Sequence, residues 1–238
     1  MTEWFEEWFG EEYLHLYPHR DDADAERLVG LLVRALPWRP GWRVLDFGCG
    51  AGRHARALSA AGARPIGLDL SMSLLLRARE VAAVPLVRAD LRSPPIRRRS
   101  VDLAANLFTS FGYFDSDEEH ARALGEMVST VRPGGWFVLD FLEADTVLAS
   151  LGPGGTTRAN ERAMSFERSI SPDGRYVIKT IHTDEGRTFV ERVRLFRPGE
   201  LQRLLAAAGV TVTHHFGDYA GGPPRPGAPR VILMGRCP

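Results

Sequence analysis

Apolar residues in the first half of the chain alternate between helical spacing and short unbroken runs. From Asp21 to Leu36 they recur every three or four positions, which predicts a helix that ends at Pro37. Five apolar runs then predict strands, with helical segments between most of them: RVLDFG, PIGLDLS, PLVRADL, VDLAANLF and WFVLDFL. Because short connections and fully apolar strands favour parallel pairing, the pattern predicts an α/β fold, doubly wound, with helices on both faces of the sheet.

The pattern changes after Leu151. The period-two runs AMSFERSI, RYVIKTIH and RTFVERVRLF are separated by SPDG and TDEG, which predicts antiparallel hairpins over residues 155–197. About 40 residues are too few for an independent core, so we expect this insertion to lie on the main sheet, within one domain spanning 1–238. The late strands VTVTHHFGDY and RVILMGR complete a mainly parallel, seven-stranded sheet with an antiparallel end.

The first 40 residues predict a helical segment rich in aromatic side chains. Such a stripe is compatible with a lid that excludes water from an active site, and equally with ordinary core packing. The aromatic residues at helical spacing are Trp4, Phe5, Trp8, Phe9, Tyr13 and Tyr17.

Composition excludes several classes of protein. Lys plus Arg and Asp plus Glu number 30 each, so there is no overall positive field for nucleic acid. Cys49 and Cys237 lack metal-ligand or disulfide spacing, and no histidine cluster indicates a metal. The acidic, aromatic N-terminus is unlike a secretory signal, and no membrane span is evident. We expect a cytoplasmic protein, a monomer or a homodimer, without a metal.

Three glycines follow the first predicted strand in VLDFGCGAG. Gly48, Gly50 and Gly52 allow backbone to approach a ligand closely at the crevice where parallel sheets bind their ligands. The third glycine of a dinucleotide fingerprint would fall on Arg53, so the spacing disfavours a dehydrogenase.

Two aspartates end the next two predicted strands. Asp69 is placed to accept hydrogen bonds from both hydroxyls of a ribose. Asp90 is placed to accept from an adenine amine, with Leu91 packed on the ring. The pattern predicts a ligand that contains adenosine without a pyrophosphate.

In this order and spacing, VLDFGCGAG, GLDLS, RADL, VDLAANLFTSFGYF and VRPGGWFVLDF resemble the class I S-adenosylmethionine-dependent methyltransferases. The resemblance implies the cofactor S-adenosyl-L-methionine and the product S-adenosyl-L-homocysteine. It implies that Asp46 and the loop Gly48 to Gly52, with Cys49 contributing its backbone, hold the methionine portion, and that Asp69 holds the ribose. The remaining implied contacts are Leu70, Asp90 and Leu91 with adenine, and Asn106, Leu107 and Phe108 near the reactive methyl.

The segment YPHRDDADAERLVGLL, together with LFTSFGYF and the β insertion, is similar to the small-molecule subgroup that includes glycine and amino-sugar N-methyltransferases. In that subgroup an arginine ahead of the first helix binds the carboxylate of the cofactor, and Arg20 matches it. A bidentate guanidinium suits a carboxylate.

Methyl transfer from a sulfonium is an in-line displacement, so the protein mainly aligns the reacting atoms. The sequence predicts transfer to a nitrogen or oxygen of a small molecule and does not identify a base. Substrate-side candidates are Tyr17, Tyr113 and Tyr219, although Tyr113 and Tyr219 also suit packing roles. The alternatives are an RNA or protein methyltransferase, and a cofactor-binding protein of the same fold without transferase activity.

Overall fold

The computed structural model describes residues 3–16, 22–151, 157–161 and 164–238. Its strands are β1 (Arg43–Phe47), β2 (Arg64–Asp69), β3 (Leu86–Arg88), β4 (Val101–Asn106), β5 (Val131–Leu142), β6 (Thr157–Glu161), β7 (Met164–Ile170), β8 (Tyr176–Thr183), β9 (Thr188–Arg194), β10 (Thr211–Phe216) and β11 (Arg230–Arg236). Its helices are α1 (Trp4–Trp8), α2 (Glu11–Leu16), α3 (Asp22–Ala35), α4 (Arg53–Ala60), α5 (Met72–Val81), α6 (Asp117–Ser129), α7 (Ala144–Ala149) and α8 (Pro198–Ala207).

The main sheet has seven strands in the order β10-β11-β5-β4-β1-β2-β3. Strands β3, β2, β1, β4 and β5 pair in parallel, whereas β11 is antiparallel to both β5 and β10. The predicted fold class is therefore confirmed. The strand order reverses between β1 and β4, so the carboxyl ends of these strands form the crevice in which such sheets bind ligands.

Apolar clusters cover both faces of this sheet. Leu45 and Phe47 of β1 pack in one cluster with Leu124 of α6, whereas Val44 packs in the other with Leu28 of α3. This division follows from the alternation of side chains along a strand, because successive residues point to opposite faces. Burial on both faces explains why the five parallel strands are continuous apolar runs in the sequence.

The insertion forms a second sheet of four antiparallel strands in the order β6-β7-β8-β9. The predicted turns at SPDG and TDEG join β7 to β8 and β8 to β9. The three predicted strands are confirmed as β7, β8 and β9, whereas their predicted placement on the main sheet was wrong, because they form a separate sheet with β6. Strand β6 was missed because TRANE lacks an apolar alternation, and the position beside β5 is already occupied by β11.

The start of the chain packs against this second sheet. Trp8 and Tyr13 share an apolar cluster with Phe166, Ile181 and Phe189. The Trp8 indole, which is fully buried, donates to a Glu191 carboxylate oxygen on β9. The aromatic stripe therefore includes true core residues. In the described part of the chain, no helix is long and apolar enough to cross a bilayer.

Candidate active site

A cavity of about 360 Å³ opens at the carboxyl ends of the parallel strands. Its volume lies in the range of small-molecule sites. The floor and sides come from the loops after β1, β2, β3 and β4, and the roof comes from α1 and α2 with the loop between them. The roof residues are Phe5, Phe9, Tyr13 and Leu14. We call this the cofactor cavity.

The glycine loop forms one side of the cofactor cavity, and its backbone conformation favours glycine at three positions. Gly48, Gly50 and Gly52 all have positive φ, at 70°, 54° and 83°. A Cβ on Gly48 would lie 2.5 Å from the Ser110 Cβ. Gly48, Cys49 and Gly50 line the cavity, whereas Gly52 is absent from the lining and packs on Ala78.

Asp69 lies beneath this loop and lines the cavity. Its carboxylate accepts hydrogen bonds from the backbone N–H groups of Gly50, at 2.8 Å, and of Ser71, at 2.9 Å. Burial raises the pKa of Asp69, and these backbone donors oppose the shift. Asp69 thus joins the loops after β1 and β2. Its contact with a ribose stays a prediction.

Asp90 and Leu91 line the same cavity, as does Leu70. The Asp90 carboxylate takes a bidentate contact from Arg92, whose guanidinium also reaches Glu3 and Glu119. Burial is the largest single influence and raises the pKa of Asp90, but the hydrogen bonds and charge of Arg92 together leave it below its usual value. An ionised acceptor therefore faces the cavity at the end predicted for adenine.

Asp46 is buried on β1, and its oxygens accept no hydrogen bond from the residues that the structure describes. Burial and the neighbouring Asp69 raise the pKa of Asp46 to about 7, while Arg53 opposes the shift. A buried carboxylate without a donor is uncommon, and it favours a cationic group nearby. Asp46 lies behind the cavity lining rather than in it.

The turn after β4 separates the cofactor cavity from a second cavity of about 300 Å³. Phe9, Phe108 and Tyr113 line both cavities. The rest of the second lining comes largely from the insertion sheet, with Arg230 of β11. The insertion contributes Arg168, Val177, Lys179, Glu191 and Val193.

Two residues of this turn have an unusual backbone. Phe108 and Thr109 have φ of 55° and 63°, a region that bulky or β-branched side chains rarely adopt. Leu107 lines the cofactor cavity. Asn106 instead lies beneath the turn, fully buried, where its amide donates to the carbonyl oxygens of Phe47 and Ser110. Asn106 therefore supports the turn from outside the cavity.

The three tyrosines proposed to face a substrate differ in position. The Tyr113 hydroxyl donates to the Thr109 carbonyl oxygen at 2.6 Å, and its ring faces both cavities. The Tyr219 hydroxyl donates to Asp140 at 2.9 Å, and Tyr219 lines neither cavity. Tyr17, like the predicted carboxylate ligand Arg20, lies outside the described residues.

Sequence reasoning missed Arg53 and His54, which line the cofactor cavity. The Arg53 guanidinium lies 4.0 Å from the centre of the Phe108 ring. His54 is buried, and burial, with Arg53 nearby, lowers its pKa well below the usual value. In the sequence, the signal that could have identified them is their position immediately after the three glycines. In the described ranges, no three acidic, His or Cys residues form a group that could hold a metal.

Comparison with known proteins agrees with this geometry. Residues 44–135 match the family model described as a methyltransferase domain. The matched segment contains the glycine loop together with Asp69 and Asp90. The fold of the CcbJ methyltransferase from Streptomyces caelestis matches with a TM-score of 0.79 at 21% identity, covering 96% of this chain and 97% of that one. The matched domain and this fold both agree with the family predicted from the sequence.

Two curated relatives differ in how much sequence they share with this chain. The dTDP-3-amino-3,6-dideoxy-alpha-D-glucopyranose N,N-dimethyltransferase of Streptomyces fradiae is 29% identical, over 85% of this chain and 81% of the relative. The malonyl-[acyl-carrier protein] O-methyltransferase of Pectobacterium atrosepticum is 35% identical, over 58% of this chain. The chain covers 55% of the length of that second relative.

Proposed function

We propose that this protein transfers the methyl group of S-adenosyl-L-methionine to a nitrogen of a small polar acceptor, with an oxygen as the alternative site. The observation that carries the proposal is the pair of adjoining cavities. One has the glycine loop and aspartates that suit a cationic nucleoside, and the other has three charged side chains from the insertion within a mainly apolar lining. The two meet at Phe108 and Tyr113.

The residues of the cofactor cavity fit this cofactor. Gly48 and Gly50 would hold the methionine portion, with the carboxylate of Asp46 behind them favouring its cationic amine and sulfonium. Asp69, Leu70, Asp90 and Leu91 would hold adenosine, and Arg53 offers a guanidinium to a carboxylate. Three aspartates at this site disfavour a pyrophosphate. When bound, the cofactor supplies an already activated methyl group.

The chain then has to orient the acceptor and exclude water. Phe5, Phe9 and Tyr13 cover the cofactor cavity, and Arg187 pairs with Glu12 to join α2 to the insertion. Exclusion of water strengthens the electrostatic contacts within the site. No base is assigned by this arrangement, which agrees with a reaction that depends mainly on alignment.

The acceptor side of the proposal rests on the second cavity. Glu191 is a carboxylate that suits a protonated amine, and Arg168 and Lys179 lie opposite each other on neighbouring strands. The Streptomyces fradiae relative is named for transfer to an amino sugar. We infer that the acceptor is an amine with further polar groups, of which an amino sugar is one example.

Other sequence predictions remain proposals. A cytoplasmic location, and a monomer or homodimer, are still expected. An RNA acceptor is disfavoured by the equal numbers of acidic and basic residues. A cofactor-binding protein without transferase activity would have little use for the second cavity.

The first experiment is calorimetry of the purified protein, freed of copurified ligand, with S-adenosylmethionine, S-adenosylhomocysteine and NAD. Binding of both sulfur nucleosides without NAD supports the cofactor, and failure to bind either contradicts the proposal. Methyl transfer from labelled cofactor is then measured on amines and alcohols, including dTDP-3-amino-3,6-dideoxyglucose. Cofactor binding without turnover of any acceptor would favour the non-catalytic alternative.

A further inference from the structure

The wall between the two cavities is a strained turn. Phe108 and Thr109 are consecutive residues with left-handed backbone, and Thr109 is β-branched. Such conformations persist only where the surroundings enforce them, and they concentrate at functional sites. Since Phe108 lines both cavities, its position sets the passage between cofactor and acceptor.

Asp140 holds this turn through both its side chain and its backbone. Its Oδ2 accepts from the Phe108 N–H at 2.8 Å, and its carbonyl oxygen accepts from the Thr109 N–H at 2.9 Å. Asp140 is fully buried on β5, a strand packed within the main sheet. The turn is therefore anchored to the rigid part of the fold by the two residues with strained backbone.

Arg230, on the last strand, and Tyr219, in the connection before that strand, complete the anchor. The Arg230 guanidinium donates to Asp140 Oδ1 at 2.8 Å and to the Thr109 hydroxyl at 3.0 Å. The Tyr219 hydroxyl donates to Asp140 Oδ2 at 2.9 Å. The guanidinium of Arg230 also lies 5.4 Å from the centre of the Phe108 ring, which contacts Arg53 as well.

We propose that Asp140, with Arg230 and Tyr219, is a positioning residue that fixes Phe108 and Thr109 and thereby the alignment of the methyl donor with the acceptor. This inference rests on the proposed function. Asp140 lines neither cavity, so it acts on the reaction through the turn. An error of about 1 Å in alignment can cost a methyl transfer up to about a hundredfold in rate.

A purely structural role for this buried cluster makes a different prediction. Loss of a structural contact would lower stability and leave the environment of the bound methyl group unchanged. Loss of a positioning contact would move the aromatic rings of the turn relative to that methyl group. The test therefore needs a probe of the methyl group itself.

The experiment uses S-adenosylmethionine labelled with ¹³C at its methyl group and records the ¹H and ¹³C resonances of the bound methyl. The test variants are Thr109→Val, which removes the hydroxyl that accepts from Arg230, and Tyr219→Phe, which removes a donor to Asp140. Each has a matched control. Thr130→Val deletes a buried hydroxyl that donates to Met127, and Tyr176→Phe deletes one that donates to Asp115.

We expect both test variants to shift or broaden the methyl resonance while the cofactor Kd stays within about threefold of the native value. The controls should give the native spectrum. Asp140→Asn, if it folds, should show the larger change. With an accepted substrate, kcat should fall about tenfold in the test variants, with KM for the cofactor nearly constant.

Native methyl resonances in both test variants would overturn the positioning role, and so would equal shifts in the controls. If the native protein binds no S-adenosylmethionine, the proposed function fails and this inference fails with it. Binding with an unmoved methyl resonance rejects only the inference, so the two failures are distinguishable.

Discussion

The two cavities that meet at Phe108 are built in different ways. The cofactor cavity is made largely of loops that follow successive parallel strands, and backbone groups dominate its glycine side. The second cavity is made of side chains from the insertion, from α7 and from β11, which lie far apart in the sequence. The lining of the first includes Asp69, Asp90 and Arg53, whereas the second combines basic residues with Glu191.

This difference indicates how one fold can keep its cofactor and change its acceptor. The shape of a backbone-lined loop depends on the positive φ of its glycines, so the loop tolerates few substitutions. A side-chain lining on a separate sheet can change without altering the parallel strands. Substitutions in the two cavities should therefore have separable effects on cofactor affinity and on acceptor use.

The largest effect is expected from Gly48→Val. Valine would need φ near 70° and would place its Cβ against Ser110, so the loop cannot keep its shape. We expect cofactor affinity by calorimetry to fall by roughly a thousandfold. Gly125→Ala on α6, where a Cβ meets nothing within 4 Å, is the control and should stabilise the fold by roughly 0.5–1 kcal/mol. Native affinity in the valine variant would contradict the loop's role.

The next largest effect concerns Asp46→Asn. The pKa of Asp46 is raised to about 7, so the folded protein keeps a proton that the unfolded chain loses above about pH 4. Between about pH 4 and pH 7 the unfolded chain has lost this proton while the folded protein still holds it. The fold therefore becomes progressively less stable as the pH rises through this window. Without cofactor, the variant's free energy of unfolding relative to the native protein should rise across that window, by up to about 4 kcal/mol.

Chemical denaturation at several pH values measures this dependence. Asp173→Asn is a control of opposite sign, because hydrogen bonds from Ser171 and Arg175 lower the pKa of Asp173. Its stabilising contribution is present above the unfolded pKa and is lost as the pH falls through the folded one. Parallel stability curves for the native protein and Asp46→Asn would show that the pKa of Asp46 is not raised in the folded protein.

A smaller effect is expected from Glu191→Gln, and it should change only the use of the acceptor. Glutamine keeps an oxygen that can accept from the Trp8 indole, but it lacks the charge that favours a protonated amine. We expect kcat/KM for an amine acceptor to fall about tenfold, with cofactor affinity unchanged. Val190→Ala, the exposed neighbour on β9, is the control. An equal loss of cofactor affinity would mean that the two cavities are not separable.

The smallest effect is expected from Arg187→Ala. Its 2.7 Å ion pair with Glu12 joins the roof to the insertion, but the Arg187 side chain is 56% exposed. Screening by solvent limits such a pair to at most about 0.5 kcal/mol of stability. Arg98→Ala, which removes an exposed pair with Glu126, is the matched control for the thermal melt. A clearly larger loss than in the control would show that Arg187 fixes the roof, through Glu12 and through its contact with the Phe189 ring at 4.8 Å.

Much of the cofactor side was predictable because its signals are local. Apolar runs, glycines that need positive φ and aspartates at strand ends are each written in a few adjacent residues. The ends of parallel strands meet by topology, so Asp69 and Asp90 were brought to one cavity without knowledge of any side-chain contact. Arg53 and His54 were overlooked, although they begin the helix that follows the same loop.

The sequence by itself determined the parallel sheet and the glycine loop, and it carried the resemblance to a methyltransferase domain. Only the tertiary structure decided that the insertion forms a separate sheet, that Tyr219 donates to Asp140, and that Arg230 reaches the turn at Thr109. The physical reason is the separation along the chain over which each kind of interaction acts. Backbone preferences and hydrophobic periodicity act between neighbours in the chain, whereas a buried hydrogen-bonded cluster joins residues whose meeting depends on the whole packed fold.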